Sequence, residues 1–224
     1  ISLYEVIKYG ALTEGSLTVY DLNGIDLDDK FRFPVKPENG NINDPDFRTT
    51  LISKFGQETQ KDSIEIDEFG NEGPAVDDEG EIIKVNIIEE YVSRDIVRYE
   101  LKEDWFFDKQ RSVLDVRIIG ISPVVFSRNP ETLEIDGLKN LFWLYFPECR
   151  YVFQNFFVFN NANDSQRMSF DDLFWKREFS SFIKKESNVY DRAISPNWDG
   201  LDALLESERI RNEMFTFEHD LWHF

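Results

Sequence analysis

The chain has 224 residues, which is enough for one large domain or two small ones, and 41% of them are hydrophobic, so it can bury a sizeable core. Its 44 acidic and 25 basic residues give a net charge of −19. This charge excludes nucleic acid and anionic membrane surfaces as partners, because both require a Lys and Arg footprint. It suits a protein that binds a basic partner.

The first quarter of the chain carries signals for short helices and strands. Ser2 and Glu5 have the spacing of a capping box, which begins a helix. Pro34 ends a strand or places it on a sheet edge, and Gly56 is typical of the residue that follows a helix. In chain order, we predict a helix over 2–10, a strand over 17–20, a strand over 30–35 and a helix over 46–55.

The stretch that follows is the most acidic part of the chain. From Gln57 to Glu90, twelve acidic residues stand against two basic ones. We expect a mobile acidic segment at about 57–90, or a small exposed hairpin there. A calcium loop at Asp77–Glu81 is an alternative, although its spacing differs from the pattern that wraps oxygens around one ion.

The centre of the chain has the clearest strand pattern. Residues 97–102 alternate between apolar and charged side chains, which indicates a half-buried strand. A second strand over 113–121 ends with apolar residues on both faces, so we expect it in the sheet centre, closed by Pro123. A third strand is expected over 141–145.

The last third of the chain is typical of helices. We predict one over 148–159, one over 170–186 that Ser169 caps, and one from Leu201 to about Phe217 or beyond. Strands followed by helices favour an α+β fold, with a central antiparallel or mixed sheet and a helical C-terminal third. We expect a single domain over 1–224.

The last two helices place apolar residues on two faces, where an ordinary surface helix has one apolar stripe. Two stripes require two burial partners. Either both partners belong to the same fold, or one face lies on the helix's own core and the other on another subunit. On the helix over 170–186, one stripe consists of Trp175, Phe179, Phe182 and Ile183, and the other of Phe170, Leu173 and Phe174. On the last helix, one stripe consists of Leu201, Leu204, Leu205, Phe215 and Trp222, and the other of Ile210, Met214, Phe217 and Leu221.

Aromatic residues make up 15% of the chain. They either fill a thick core or supply contact area at protein interfaces, where Phe, Tyr and Trp are enriched. Both interpretations remain open from composition alone.

Catalytic motifs are missing from the sequence. It has no nucleophile elbow, no phosphate-binding glycine loop and no dinucleotide fingerprint. Cys149 is the single cysteine, so no internal disulfide can form. His219 and His223 are one helical turn apart, but Asp220 stands where the zinc-protease pattern requires Glu. We therefore predict a protein that is not an enzyme and has no cofactor and no metal site. The sequence contains no run of 18 apolar residues, so we also expect no membrane-spanning segment.

Several long stretches of unusual composition are similar to one known family. The most specific begins at Asp104 with the letters DWFFDKQRS and continues as VRIIGI from Val116. These segments, and others at 3–10, 163–172, 179–192 and 217–222, resemble the GldN/PorN family of the gliding-motility and type IX secretion apparatus. The resemblance covers most of the chain except the acidic region around 57–90.

The resemblance implies a non-catalytic structural subunit of a periplasmic ring. Family members pair with an outer-membrane lipoprotein, GldK/PorK, and many copies of the pair assemble into a ring at the inner side of the outer membrane. The ring is expected to contact the periplasmic shaft of the motor protein GldM/PorM. We therefore expect a periplasmic location and three partners: a GldK/PorK-like lipoprotein, a GldM/PorM-like shaft and other copies in the same ring.

Aromatic residues of the familiar segments are our candidates for partner contact. An alternative function is a peptidoglycan- or glycan-binding module, in which tryptophans would stack on sugars. The candidate interface residues are Trp105, Phe106, Phe107, Phe170, Phe174, Trp175, Phe179, Phe215, Phe217 and Trp222.

Overall fold

The computed structural model confirms the α+β fold, with an antiparallel sheet and a long C-terminal helix. It describes residues 1–22, 31, 33–38, 40–66, 72–75, 82–111, 113–128, 134–159, 167–187, 193–194 and 200–220. The chain divides into two compact units, one of residues 1–102 and 118–171 and one of residues 103–117 and 172–224. Our expectation of a single domain stays a prediction.

The first unit begins with the predicted capped helix, α1 (Leu3–Lys8). The Ser2 hydroxyl accepts a hydrogen bond from the Glu5 N–H, and the Glu5 carboxylate accepts one from the Ser2 N–H. A π-helical turn (Tyr9–Glu14) continues α1 and ends at Gly15, whose φ of +70° requires no Cβ. The helix signal at 2–10 is therefore confirmed.

The next strand and helix agree with the sequence predictions, whereas the strand predicted over 30–35 is only partly described. Strand β1 (Val19–Tyr20) and helix α2 (Pro45–Lys54) match the expected strand and helix. Of the strand expected over 30–35, residues 30 and 32 lie outside the described residues, and Pro34 forms an isolated bridge with Tyr20.

The acidic segment contains two pairs of antiparallel strands. Strand β2 (Gly56–Asp62) pairs with β5 (Lys84–Glu90), and β3 (Ile64–Ile66) pairs with β4 (Glu72–Pro74). Among the two expectations, a hairpin structure is therefore present, while mobility stays a prediction. The Asp77–Glu81 stretch lies outside the described residues.

A five-stranded sheet forms the centre of the fold. Its order is β1–β9–β7–β6, with β8 also paired to β7, where the further strands are β6 (Ile96–Asp108), β7 (Val113–Arg128), β8 (Ile135–Asn140) and β9 (Trp143–Tyr145). Strands β6 and β7 run from the first unit into the second. Both are longer than the sequence predicts.

Pro123 does not close strand β7, contrary to our expectation. It lies between Ile121, which pairs with β9, and Val124, which pairs with β8. Its carbonyl accepts a hydrogen bond from the Leu141 N–H at 3.0 Å. The strand can pass through this proline because the missing N–H falls where β7 changes its partner strand.

Buried side chains of the sheet and of three short elements form the core of the first unit. Phe142, before β9, packs against Phe55, after α2, with ring centroids 4.5 Å apart and no exposed surface on either side chain. Helix α3 (Phe146–Phe153) buries Phe146, Cys149, Val152 and Phe153. It begins earlier and ends earlier than predicted, since Pro147 fits its first turn, where a missing N–H is harmless. The chain then pairs β10 (Phe157–Val158) with β11 (Met168–Ser169).

The predicted helix over 170–186 is wrong beyond its first turns. Helix α4 (Phe170–Trp175) is only six residues long, and the chain from Lys176 to Ser187 contains no helix. Arg177 has a φ of +56°, which no right-handed helix allows. The stripe expected at Trp175, Phe179, Phe182 and Ile183 is therefore not a helix face. The last helix, α5 (Gly200–Asp220), is confirmed.

We predict that Phe142→Ala lowers the free energy of unfolding by about 3–5 kcal/mol, because it leaves a cavity beside Phe55 in a closed core. The measurement is urea unfolding followed by circular dichroism. Phe159→Ala is the matched control: its ring is 75% exposed, so the change is expected to stay within about 0.5 kcal/mol. Equal effects of the two substitutions would contradict this account of the core.

Candidate partner-binding surface

Most of the candidate interface residues lie in the second unit. Trp105, Phe106 and Phe107 are on its part of β6, and the others follow in 172–220. Trp222 lies outside the described residues. Phe170 belongs to the first unit and is 5% exposed, with its ring 6.4 Å from that of Phe153. The structure therefore gathers eight candidates in one unit: Trp105, Phe106, Phe107, Phe174, Trp175, Phe179, Phe215 and Phe217.

Arg177 is the centre of a charged and aromatic cluster in this unit. Its Nη1 donates to Oε1 of Glu103 at 2.8 Å, and its Nη2 donates to Oε2 at 3.2 Å, so the ion pair is bidentate. The guanidinium also lies 5.7 Å from the centre of the Trp105 ring and 5.3 Å from that of Phe179. A guanidinium stacked on aromatic rings and paired bidentately is an arrangement that Lys cannot reproduce.

The same residue ends helix α4. The Arg177 N–H donates to the Phe174 carbonyl, and the Glu178 N–H donates to the Leu173 carbonyl at 3.0 Å. These two bonds form a Schellman motif, in which Arg177 occupies the left-handed position that glycine usually takes. A non-glycine residue there costs about 1–2 kcal/mol. The ion pair with Glu103 offsets this cost, so one side chain fixes the direction in which the chain leaves the helix.

The end of the β6–β7 hairpin has its own arginine contacts. Arg111 pairs with Asp108 and with Asp115, both at 2.8 Å. The hydrogen bond from Arg111 holds the pKa of the Asp108 carboxyl below its usual range. Arg117 stacks over Phe106, with 5.4 Å between the guanidinium carbon and the ring centre. The segment that begins at Asp104, which carries the most specific family resemblance, is thus the end of the β6–β7 hairpin and is stabilised by ion pairs and an arginine–aromatic contact.

Helix α5 turns a small, partly polar side toward the rest of its unit. Ser207 and Ile210 are buried, at 3% and 4% exposure. The Ser207 hydroxyl accepts a hydrogen bond from the Ile183 N–H at 2.8 Å, and Arg211 donates to the Ser181 carbonyl at 2.9 Å. The non-helical segment after α4 is therefore attached to α5 through its backbone groups.

The opposite side of α5 is apolar and exposed. We call Leu201, Leu204, Leu205 and Phe215 the outer stripe; their side chains are 71%, 54%, 59% and 68% exposed. At 100° per residue they cluster on one side of the helix, away from Ser207 and Ile210. Phe217 is also exposed, but it lies on another side of the helix from Phe215. Of the two stripes expected on this helix, the first is exposed, while the second has Ile210 buried and Phe217 56% exposed. Leu221 and Trp222 lie outside the described residues, so burial of the two stripes by two partners stays a prediction.

Accessibility separates the remaining candidates. Trp175 is 75% exposed, Trp105 45% and Phe106 38%, so their rings are available on the surface. Phe174 is buried, with its ring 5.7 Å from the half-buried Phe179. The side chain of Phe174 belongs to the core of the unit and not to its surface.

Sequence reasoning missed four residues that organise this surface. Glu103 and Arg177 are 74 positions apart, and no local pattern connects them. Ser207 and Arg211 act on a segment about 25–30 residues earlier in the chain. The leucines of the outer stripe were visible as an apolar stripe but were not among the candidates. The sequence offered one signal for these contacts, which is the positive charge of Arg177 two positions after the aromatic pair Phe174 and Trp175.

Two observations on the described residues concern metal binding and thiol chemistry. Within these residues, no group of three His, Cys, Asp or Glu side chains could hold a metal ion. Cys149 is 1% exposed, and burial raises the pKa of its thiol, which keeps it protonated at neutral pH. Its sulfur contacts the Tyr145 carbonyl at 3.5 Å, as a core residue would.

Comparison with known proteins places the chain in one family. The family model described as "Gliding motility associated protein GldN" matches residues 2–223. A search of curated proteins finds no match. The match associates the chain with gliding motility and type IX secretion. None of the described helices has the length and apolar character needed to cross a lipid bilayer.

We predict that Arg177→Ala lowers the free energy of unfolding by about 1–3 kcal/mol, because it removes the cation paired with Glu103 and leaves that carboxylate only the hydrogen bond from the Trp105 indole. Arg177→Gly should lower it by about 1 kcal/mol less, since glycine adopts the left-handed backbone without strain. Chemical denaturation of both variants measures the difference. Arg209→Ala, which removes an exposed arginine paired with Glu206 and Glu213, is the control and should change little. Equal values for Ala and Gly would show that the backbone at 177 is unstrained.

We predict that iodoacetamide does not modify Cys149 in the folded protein at pH 8, because the thiol is buried and its raised pKa keeps the thiolate population low. In denaturant, the same cysteine should react at the rate of a free thiol. Mass spectrometry over time reports both rates. Labelling of the folded chain at the denatured rate would contradict the assigned burial.

Proposed function

The chain belongs to the GldN family of gliding motility associated proteins, and we propose that it is a non-catalytic structural subunit of the periplasmic ring in this machinery. In this proposal it pairs with a GldK/PorK-like outer-membrane lipoprotein at the inner side of the outer membrane. It also contacts other copies in the same ring and a GldM/PorM-like shaft. Its role is to hold partners together.

The two sides of α5 are the observation that supports this proposal most directly. One side is attached within its own unit through Ser207, Ile210 and Arg211. The other side exposes the four large apolar residues of the outer stripe. A stripe of this kind on a folded protein usually marks a binding surface, because its apolar side chains gain from leaving water.

A ring also requires that each subunit offer more than one surface. Head-to-tail contacts that close a ring use two different patches on every copy, and binding a second protein requires a third. The outer stripe and the exposed aromatics Trp105, Phe106 and Trp175 give the second unit more than one candidate surface.

The net charge favours binding to a different, basic protein over self-association of this chain. Each chain carries −19, so like subunits repel unless basic surface lies between them. A lipoprotein with basic surface would relieve this repulsion. Binding of such a partner should weaken as salt rises, since exposed charges are screened beyond about 8 Å at physiological ionic strength.

Glycan binding is the second candidate function, and Trp175 is the observation that favours it. Its ring is 75% exposed and could stack on a sugar. Trp105 is less suited to this role, because its indole N–H donates to Glu103 and Arg177 lies near its ring. Trp198 and Trp222 lie outside the described residues.

We predict that the chain, co-expressed with a GldK/PorK-like lipoprotein, co-purifies as a stable pair that assembles into rings visible by electron microscopy. Amides of 201–220 should exchange hydrogen more slowly in the pair than in the isolated chain, because the exposed side of α5 becomes covered. Trp175→Ala tests the alternative: loss of binding to purified peptidoglycan in the absence of protein partners would favour the glycan module. A chain that stays monomeric and does not co-purify with the lipoprotein would overturn the structural proposal.

A further inference from the structure

The outer stripe has the dimensions of a surface that binds another helix. Leu201 and Phe215 are fourteen residues apart on a helix of 21 residues, so the stripe extends roughly 21 Å along the axis at 1.5 Å per residue. Leu204 and Leu205 follow Leu201 by three and four residues, and Phe215 follows it by fourteen, so the four members lie within about 100° of the helix circumference. An apolar stripe of this length is the surface that a second helix covers by side-chain interdigitation.

The borders of this stripe are acidic. Helix α5 contains six carboxylates and two arginines, Arg209 and Arg211. Both arginines are already engaged: Arg209 pairs with Glu206 and Glu213, and Arg211 pairs with Glu208 and the Ser181 carbonyl. Asp202 lies beside Leu205 and Glu218 lies beside Phe215, and the two engaged arginines also lie beside the stripe. The surplus charge around the apolar residues is therefore negative.

The middle of the stripe is polar, which adds a requirement on the partner. Glu208 and Asn212 stand between the three leucines and Phe215. Oε2 of Glu208 lies 3.1 Å from Nη1 of Arg211, which is at the edge of the stripe, and both charged side chains are about half exposed. A polar layer within an apolar helix seam fixes the register of pairing, because a shifted partner would bury these charges against apolar groups.

These features decide between the possible occupants. A second copy of α5 would bring a second set of six carboxylates against the first, with the arginines already engaged, and would be repelled. A helix with Lys and Arg beside its apolar stripe would cover the same residues and meet the acidic borders with opposite charge. The second occupant satisfies both the apolar and the electrostatic requirement.

We propose that the outer stripe of α5 binds an amphipathic helix of a partner protein whose apolar stripe is bordered by Lys and Arg. This inference rests on the proposed structural function and specifies the partner chemistry of one of its surfaces. The partner helix lies along α5, with apolar residues over the leucines and Phe215 and a polar residue over Glu208.

The test uses the full chain and two synthetic 21-residue helical peptides that share one leucine stripe. One peptide has Lys and Arg on its borders, and the other has Glu at the same positions. Fluorescence anisotropy measures binding of each labelled peptide at low and at physiological salt. The basic peptide should bind at least about tenfold more tightly than the acidic one, with the difference narrowing as salt rises.

Variants separate the stripe from general attraction to an acidic protein. Leu204→Gln combined with Leu205→Gln should weaken binding of the basic peptide about tenfold or more. Ile135→Gln removes another exposed apolar side chain, 58% exposed in β8, and should leave binding unchanged. Asp202→Asn should weaken binding of the basic peptide and reduce the salt dependence of that binding. Circular dichroism checks that each variant is folded.

Three results would overturn the proposal: equal binding of the two peptides, binding that the leucine variant does not change, or a chain dimer in sedimentation that the leucine variant dissociates. The last result would identify a second copy as the occupant. Co-purification with the lipoprotein distinguishes this failure from failure of the proposed function. A lipoprotein that still binds the leucine variant leaves the structural role intact, whereas one that never binds the native chain removes it.

Discussion

The second unit depends on one ion pair that holds one residue in an unfavourable backbone conformation. Arg177 occupies the left-handed region because its guanidinium is held by both oxygens of Glu103 and stacked near Trp105 and Phe179. This conformation ends α4 after six residues, and the chain continues without helix from Lys176 to Ser187. In this segment the Ile183 N–H donates to Ser207 and the Ser181 carbonyl accepts from Arg211. The attachment of α5 therefore uses backbone groups that a longer α4 would hold in its own hydrogen bonds.

That attachment also explains why α5 shows its more apolar side to solvent. The side of the helix that faces the segment after α4 carries the Ser207 hydroxyl and the buried Ile210, with Arg211 at its edge, where it donates to the Ser181 carbonyl. Leucines in such a helix would ordinarily face inward, where each buried side chain contributes about 1.5–3 kcal/mol. Here this free energy is not used within the chain and is available to binding.

Local pattern predicted those parts of the fold in which side-chain spacing and secondary structure agree. The capping box at Ser2, the helix after Gly200 and the strand at 97–102 follow from rules that act over a few residues, and all three are present. The helix over 170–186 failed because a contact 74 positions away overrides its helical pattern. The end expected at Pro123 failed because the cost of a missing N–H depends on which strand lies opposite. The outer stripe was predictable as a stripe, but its exposure depends on what the segment after α4 covers.

Apolar area and charge have different roles in the proposed surface. The leucines and Phe215 would supply affinity for almost any amphipathic helix, since apolar burial does not distinguish one leucine stripe from another. The acidic borders add discrimination, because a partner with acidic borders, including a second copy of this chain, would meet like charge. In the proposed ring of many copies, each carrying −19, this exclusion would keep the stripe free of neighbouring copies and available to the basic partner. Contacts between copies in that proposed ring would then use other surfaces.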